Sequence, residues 1–431
     1  MLLDDYSGAF ETDFDLTHLS RKALAVLGRE WLLHGHLQDR IGMPLVLERG
    51  TPDDMTRVAI DEWMAVSPIY SRRTQRALDF ADGDVPTIFK NIQLDIGAPP
   101  HFMDFRFEVF DREHGEFHLR HCGALMDVEP MGEDFVRAMC HDIEDPTFDA
   151  TAGATNPHAQ VRPIHRPPRV PSDREPHCRW RVDIVPESPA VEPHPLELVL
   201  LQSRVAGIEV RVPETDAEPG GWTDYRRDLD PDFELEDLSH RTLVMMLQEF
   251  AVQSHLLVRG YLTVVAERFG EDAALACGAR LFTGLAGLTA QRVRAAMGIR
   301  GDDASAIAKV LQLHPVFWPR TYIDTTVEVL DDLRVRLAIR PCAALEENDP
   351  FTWFATLGAE AHPALDSLVR GVNPRAACTP TTPAAGEWLA WEAVIDPAAE
   401  PAREADEVAL GKISTGAAVT FTPRRPVRVD A

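Results

Sequence analysis

DFDLTHLSRKALAVLGREWLLHGHL, residues 13–37, is written a second time as DFELEDLSHRTLVMMLQEFAVQSHL, residues 232–256. The two stretches align without a gap. Asp13/Asp232, Phe14/Phe233, Leu19/Leu238, Ser20/Ser239, Glu30/Glu249, His36/His255 and Leu37/Leu256 are identical. Working outward, FKNIQLD from Phe89 faces AKVLQLH from Ala308, and DFRFEVF from Asp104 faces DTTVEVL from Asp324. Cys122 in HCGAL falls opposite Cys342 in PCAAL. Asn156-Pro157 meets Asn373-Pro374, Trp180 meets Trp391, and GIEVRVP meets AAVTFTP. The offset drifts slowly from 219 at Asp13/Asp232 to 210 at Pro213/Pro423, as loop deletions would make it. Composition alone does not place Asp, Glu, His, Lys, Cys and Trp in one register, so the chain is a tandem duplication.

The units are read as 1–213 and 232–431, joined by a linker at 214–231 rich in Pro, Gly and charge. Each opens on a helix, since Leu19, Ala23, Leu24, Leu27, Trp31 and Leu32 recur near a 3.6 period, with Asp15 or Thr17 as candidate cap. VPTIFKNIQLD and SAIAKVLQLH predict a short further helix. MDFRFEVFDREHGEFHLRHCGAL and TYIDTTVEVLDDLRVRLAIRPCAAL alternate apolar and polar residues around a turn and predict β-hairpins. GEDFVRAMCHDI predicts a short helix, HCRWRVDIV and LAWEAVID predict strands, and LELVLLQSRVAGIEVRV predicts another strand pair. The fold class is α+β: N-terminal helices packed on an antiparallel sheet, twice.

A length of 431 residues exceeds one ordinary core. A formal charge of -26 disfavours nucleic acid and anionic membranes as partners. No apolar run is long enough to predict a membrane span, and the start lacks a signal-peptide pattern. Six cysteines in so long a chain suit a reduced, cytoplasmic setting. Homo-oligomerisation is left open. Only four lysines occur, Lys22, Lys90, Lys309 and Lys412, and Lys90/Lys309 share one repeat position.

The chemistry-bearing stretch is HLRHCGALMDVEPMGEDFVRAMCHDIEDP, residues 118–146. Cys122, Cys140, His141 and, further on, Cys178 form a borderline-soft donor set that would suit zinc or iron, with Glu144 and Asp145 able to move a proton. No CxxC or HExxH spacing supports this set, so zinc, iron or no metal at all stay open, and the cysteines equally read as buried packing residues. Without a metal, Cys122 and His141 would make a nucleophile–base pair. Glu30 and His34 lie four apart on one helical face, where they could ligate a metal, pass a proton or line the substrate site. Arg162, Arg166 and Arg169, in a Pro-rich segment read as an extended loop, would clamp an anionic substrate or pair with the acids of HDIEDP. Lys90 is a further candidate for a substrate carboxylate. GxGxxG, GxxxxGK[ST] and GxSxG patterns are absent. The second unit keeps Cys342 but lacks partners for Cys178 and the HDIEDP acids, so a site belongs to the first unit, with the second as scaffold or pocket wall.

Cys122 after a hairpin, Cys140 with Asp142 nearby, Asn156-Pro157 with Arg162 beyond, and Cys178 two residues before Trp180 resemble the pattern of the L-2-amino-thiazoline-4-carboxylic acid hydrolase-like family. The likeness covers roughly 60 residues per unit, departs at Pro176-His177 where a glycine is usual, and meets single-domain proteins where this chain is doubled. It implies an α+β unit and a hydrolytic or metal-assisted activity. The expectation is therefore a small-molecule enzyme that hydrolyses a C–N bond in a carboxylate-bearing heterocycle or amide. An iron-dependent oxidative enzyme and a non-catalytic ligand-binding or sensor module are the alternatives.

Overall fold

The computed structural model describes residues 2–358 and 360–423; the end of the second unit as delimited, 424–431, lies outside them. In the first repeat, α1 (Arg21–Leu47), α2 (Pro52–Leu78) and α3 (Val85–Ile92) precede the hairpin β1 (Met103–Val109) and β2 (His114–Cys122). Next come α4 (Gly123–Val128), α5 (Glu133–Arg137), a π-helical turn (Ala138–Ile143) and α6 (Glu144–Gly153). The strands β3 (Ala159–His165) and β4 (Cys178–Ile184) follow, then α7 (Pro195–Leu200) and α8 (Arg204–Gly207). The second repeat runs α9 (His240–Phe269), α10 (Glu271–Ala296), α11 (Ala304–Leu313), β5 (Thr325–Asp331), β6 (Arg334–Ile339), α12 (Pro363–Arg370), β7 (Ala376–Thr381), β8 (Leu389–Ile395) and α13 (Asp406–Gly411).

Both four-stranded sheets are antiparallel and share one topology, β1-β2-β4-β3 and β5-β6-β8-β7. The buried Trp180 pairs with Phe117 across the first, and Trp391 with Leu337 across the second. Asn156 and Asn373 close the same turn, each accepting the N–H two residues on and donating to a distant carbonyl, Gly83 or Asp302. The α+β duplication read from the sequence is the architecture observed.

Local details differ from the reading. Ser20 and Ser239 cap α1 and α9, while Asp15 caps the 3-10 turn before α1. The segment read as a strand pair is instead α7 and α8, because Pro195 and Ser203 start helical turns there. The early part of the expected Pro-rich loop, Ala159–His165, is β3 on the sheet edge, where Pro163 needs no ladder donor. The long α2 was not expected from its polar composition.

Between residues 214 and 231 the chain is no free linker. Trp222 pairs with Leu238 just as Leu3 pairs with Leu19, and Tyr225 is fully buried. Tyr225 Oη donates to Gln93 Oε1 at 2.8 Å, and Tyr6 Oη donates to Gln312 Oε1 at 2.8 Å. The strap before each repeat thus packs on the other repeat. This explains the lysine pair: Lys90 Nζ donates to the carbonyls of Tyr225 and Arg227, and Lys309 Nζ to that of Gly8. Lys90 anchors a strap rather than a substrate.

Glu30 has a parallel role. It accepts two bonds from Arg292, at 2.7 and 3.0 Å, and its repeat mate Glu249 accepts two from Arg73, each at 2.8 Å. His34 bonds Thr289 Oγ1 at 2.7 Å through Nδ1, also across the repeats. The C-terminal ends are exchanged as well. Asp127 accepts from Ser414 Oγ and Thr415 N, while Glu347 accepts from Arg204 N and Val205 N. α1, α2, α9 and α10 pack together, and buried apolar side chains of both repeats form one cluster. Close approach shows at Gly260, whose added Cβ would meet Val66 at 2.6 Å. α10 is long and apolar enough to cross a membrane, but it is mostly buried against protein, as a core helix is.

Candidate functional site

A cavity of about 550 Å³ opens inside the first repeat. His36, Asp39, Arg40, Met43 and Leu47 reach it from α1, spaced three and four apart along one face. Met55, Ala59, Trp63 and Tyr70 reach it from α2 in the same way. Asp95, Gly97 and Ala98 come from the turn after α3, Met103 and Phe105 from β1, and Met126 and Asp127 from α4. Phe135, Met139, Ile143, Glu144 and Phe148 complete the first repeat's share. The second repeat adds Leu410, Ile413, Ser414 and Thr415, so its exchanged C-terminal segment is a wall. Thioether, aromatic and aliphatic groups dominate, a lining that takes an apolar ligand body.

A few polar groups break that lining. Trp63 Nε1 donates to Asp39 Oδ2 at 2.7 Å, leaving Oδ1 buried without a hydrogen-bond partner. Tyr70 Oη and Gly97 N donate to Asp95 Oδ1 at 2.7 and 2.6 Å. His36 stacks edge-on against Phe102 at 5.0 Å, and neither ring nitrogen reaches hydrogen-bonding geometry with protein. Glu144 has no partner for Oε2 among the described residues, and outside the lining Glu62, fully buried on α2, has none for either carboxyl oxygen. Orphaned buried polar atoms are uncommon and call for a reason.

Burial decides their protonation. It pushes the carboxyls of Asp39 and Glu62 up, Asp95 up to about 6 and Glu144 up to about 8, while it holds His36 well below the usual imidazole value. At neutral pH the cavity lining therefore offers both a neutral imidazole and a protonated glutamic acid, a candidate base and a candidate acid. Glu144 owes its aim to the π-helical turn before it. The widened turn sets Met139, Ile143 and Glu144 on the cavity side.

Most residues singled out in the sequence sit elsewhere. Cys122 caps α4, its Sγ accepting from Leu125 N at 3.3 Å, and burial pushes its thiol up to about 12. A thiol protonated at neutral pH is no nucleophile. Cys140 and Cys178 are buried near it, and burial raises both thiols further from ionisation. His141 Nε2 donates to the Pro167 carbonyl at 2.7 Å. Among the described residues no three His, Cys, Asp or Glu groups stand together as an ion would need. Cys122, Cys140, His141 and Cys178 thus do not fit zinc or iron as a ligand set. Asp145 is paired with Arg166, Arg162 with Asp149 at 2.8 Å, and Arg169 with Glu129 at 2.8 Å. The basic segment holds itself to the acids instead of clamping a substrate.

Of the named candidates only Glu144 lines the cavity. Asp39, Arg40, Tyr70 and Asp95, which also line it, drew no attention in the sequence, and His36 did so only as a histidine recurring at His255. For Asp39 a signal lies between the repeats, since the second repeat has Val258 at the matching position, whereas His36 and Arg40 recur as His255 and Arg259. A charge at a core position in one copy, apolar in the other, is not required by the fold. No family model, curated protein or solved structure matches the chain.

Proposed function

We propose that the first repeat is an enzyme site for a small, mainly apolar molecule, in which His36 and Glu144 move protons. The observation that carries this reading is the pairing of an unbonded neutral imidazole with an unbonded protonated carboxyl in one buried, apolar cavity. The C–N hydrolysis suggested by the motif residues takes a specific form here. Water is the nucleophile, His36 takes its proton, its oxygen bonds the carbon, and Glu144 gives a proton to the leaving nitrogen. Cys122 holds α4 in place, and no step passes through a metal. The cytoplasmic setting expected from the cysteines belongs to this same proposal.

The test is release of amine from a panel of aryl amides and aryl amidines incubated with the whole chain. His36→Gln and Glu144→Gln should each lower turnover by about 10²–10⁴-fold while binding changes little. The dominance of Met and Phe in the lining favours a second reading, a ligand-binding module. Binding of the panel by wild type without any amine released would establish that reading and reject the enzyme.

A further inference from the structure

Arg40 lines the cavity, its Nε is buried, and it makes no hydrogen bond or ion pair among the described residues. Its repeat mate Arg259 is fully engaged: Nη2 donates to Asp349 Oδ2 at 2.7 Å and lies 3.6 Å from Glu347. Arg259 belongs to a second-repeat site closed by the chain itself. Phe351, Trp353 and Phe354 follow Asp349, with Trp353 5.4 Å from Phe282 and Phe354 6.1 Å from His255. A carboxylate on the arginine and aromatic rings behind it thus occupy the second copy.

The first repeat has removed this plug. In the register set by Cys122/Cys342 and by Asp127/Glu347, Asp349 corresponds to Glu129, and Phe351, Trp353 and Phe354 to Met131, Glu133 and Asp134. Glu129 is held away by Arg169 at 2.8 and 2.9 Å, and Asp127 is turned to Ser414 and Thr415. Glu133 and Asp134 are exposed.

We infer that the first-repeat cavity takes an aromatic carboxylate, with its carboxylate on Arg40 and its ring in the Met- and Phe-lined body, in the arrangement that Asp349 and the following aromatics adopt on Arg259. This assignment rests on the cavity being a small-molecule site, as proposed above. Burial pushes Glu144 up to about 8, so at neutral pH it keeps a proton to donate to such a ligand, while Asp39, Asp95 and Asp127 already accept from Trp63, from Tyr70 and Gly97, and from Ser414 and Thr415.

Calorimetric titration of the whole chain with 3-phenylpropionate, 3-phenylpropanamide and 2-phenylethylamine tests the inference. Wild type should bind the acid about tenfold more tightly than the amide, the advantage of a charge-assisted arginine contact. Arg40→Gln should abolish that preference and leave amide affinity unchanged, which also shows that the variant is folded. A preference for the amine, or an acid preference that survives Arg40→Gln, overturns the assignment. Equal binding of all three overturns it while leaving the small-molecule cavity standing. No binding of any probe removes both.

Discussion

In the first repeat, the face of α1 carrying His36, Asp39 and Arg40 looks into open space; in the second, the matching face of α9 carries His255, Val258 and Arg259 and is covered by protein. His255 Nε2 donates to the Trp318 carbonyl at 2.8 Å, whereas among the described residues neither His36 ring nitrogen makes a hydrogen bond of good geometry. One scaffold therefore exists in two versions, one optimised for packing and one carrying unsatisfied polar groups. The difference separates what the fold requires from what the first repeat keeps at a cost in stability.

The largest test of this contrast reopens the filled copy. Trp353→Ala should remove a buried ring and destabilise the chain by about 3–5 kcal/mol in denaturant unfolding. A loss under about 1 kcal/mol would mean that Trp353 is not filling the site. The next converts the open copy toward the closed one. Glu62→Leu, which installs the residue found at Leu281, should stabilise by about 1–3 kcal/mol by removing two unpaired buried oxygens. A destabilised Glu62→Leu protein would show that the glutamate is structurally paired. The last test is in pH. Folded Glu144 keeps its proton up to about 8, while the unfolded side chain loses it near 4.5. Stability therefore falls as pH rises across that window, and Glu144→Gln should flatten the slope. An unchanged slope would place its origin in Asp95 or the other buried carboxyls.

The repeat was legible because paired identities survive divergence, and strands were legible from alternation in MDFRFEVF and LAWEAVID. Other parts were not. α2 carries Pro68 and many polar residues, and its stability comes from packing against α9 rather than from propensity. α7 and α8 are rich in Leu and Val, which suit a strand as well as a helix. For the site, reactive residue types drew attention to Cys122, Cys140 and Cys178, yet burial without a charge partner leaves thiols inert. Conversely, Lys90 drew attention because it shares a repeat position with Lys309 and Glu30 because it lies four residues from His34, yet both make reciprocal contacts between the copies.

Those reciprocal contacts carry a history. Several contacts between the first copy and the second are returned by the mates of the residues that make them, as Arg73–Glu249 and Arg292–Glu30 do. That is the isologous rule of a two-fold symmetric pair of separate subunits. The chain is organised as such a pair made covalent, each half having handed both of its arms to its neighbour. A single half, severed from the other, would leave its arms unplaced and should recover them only by pairing with another copy of itself.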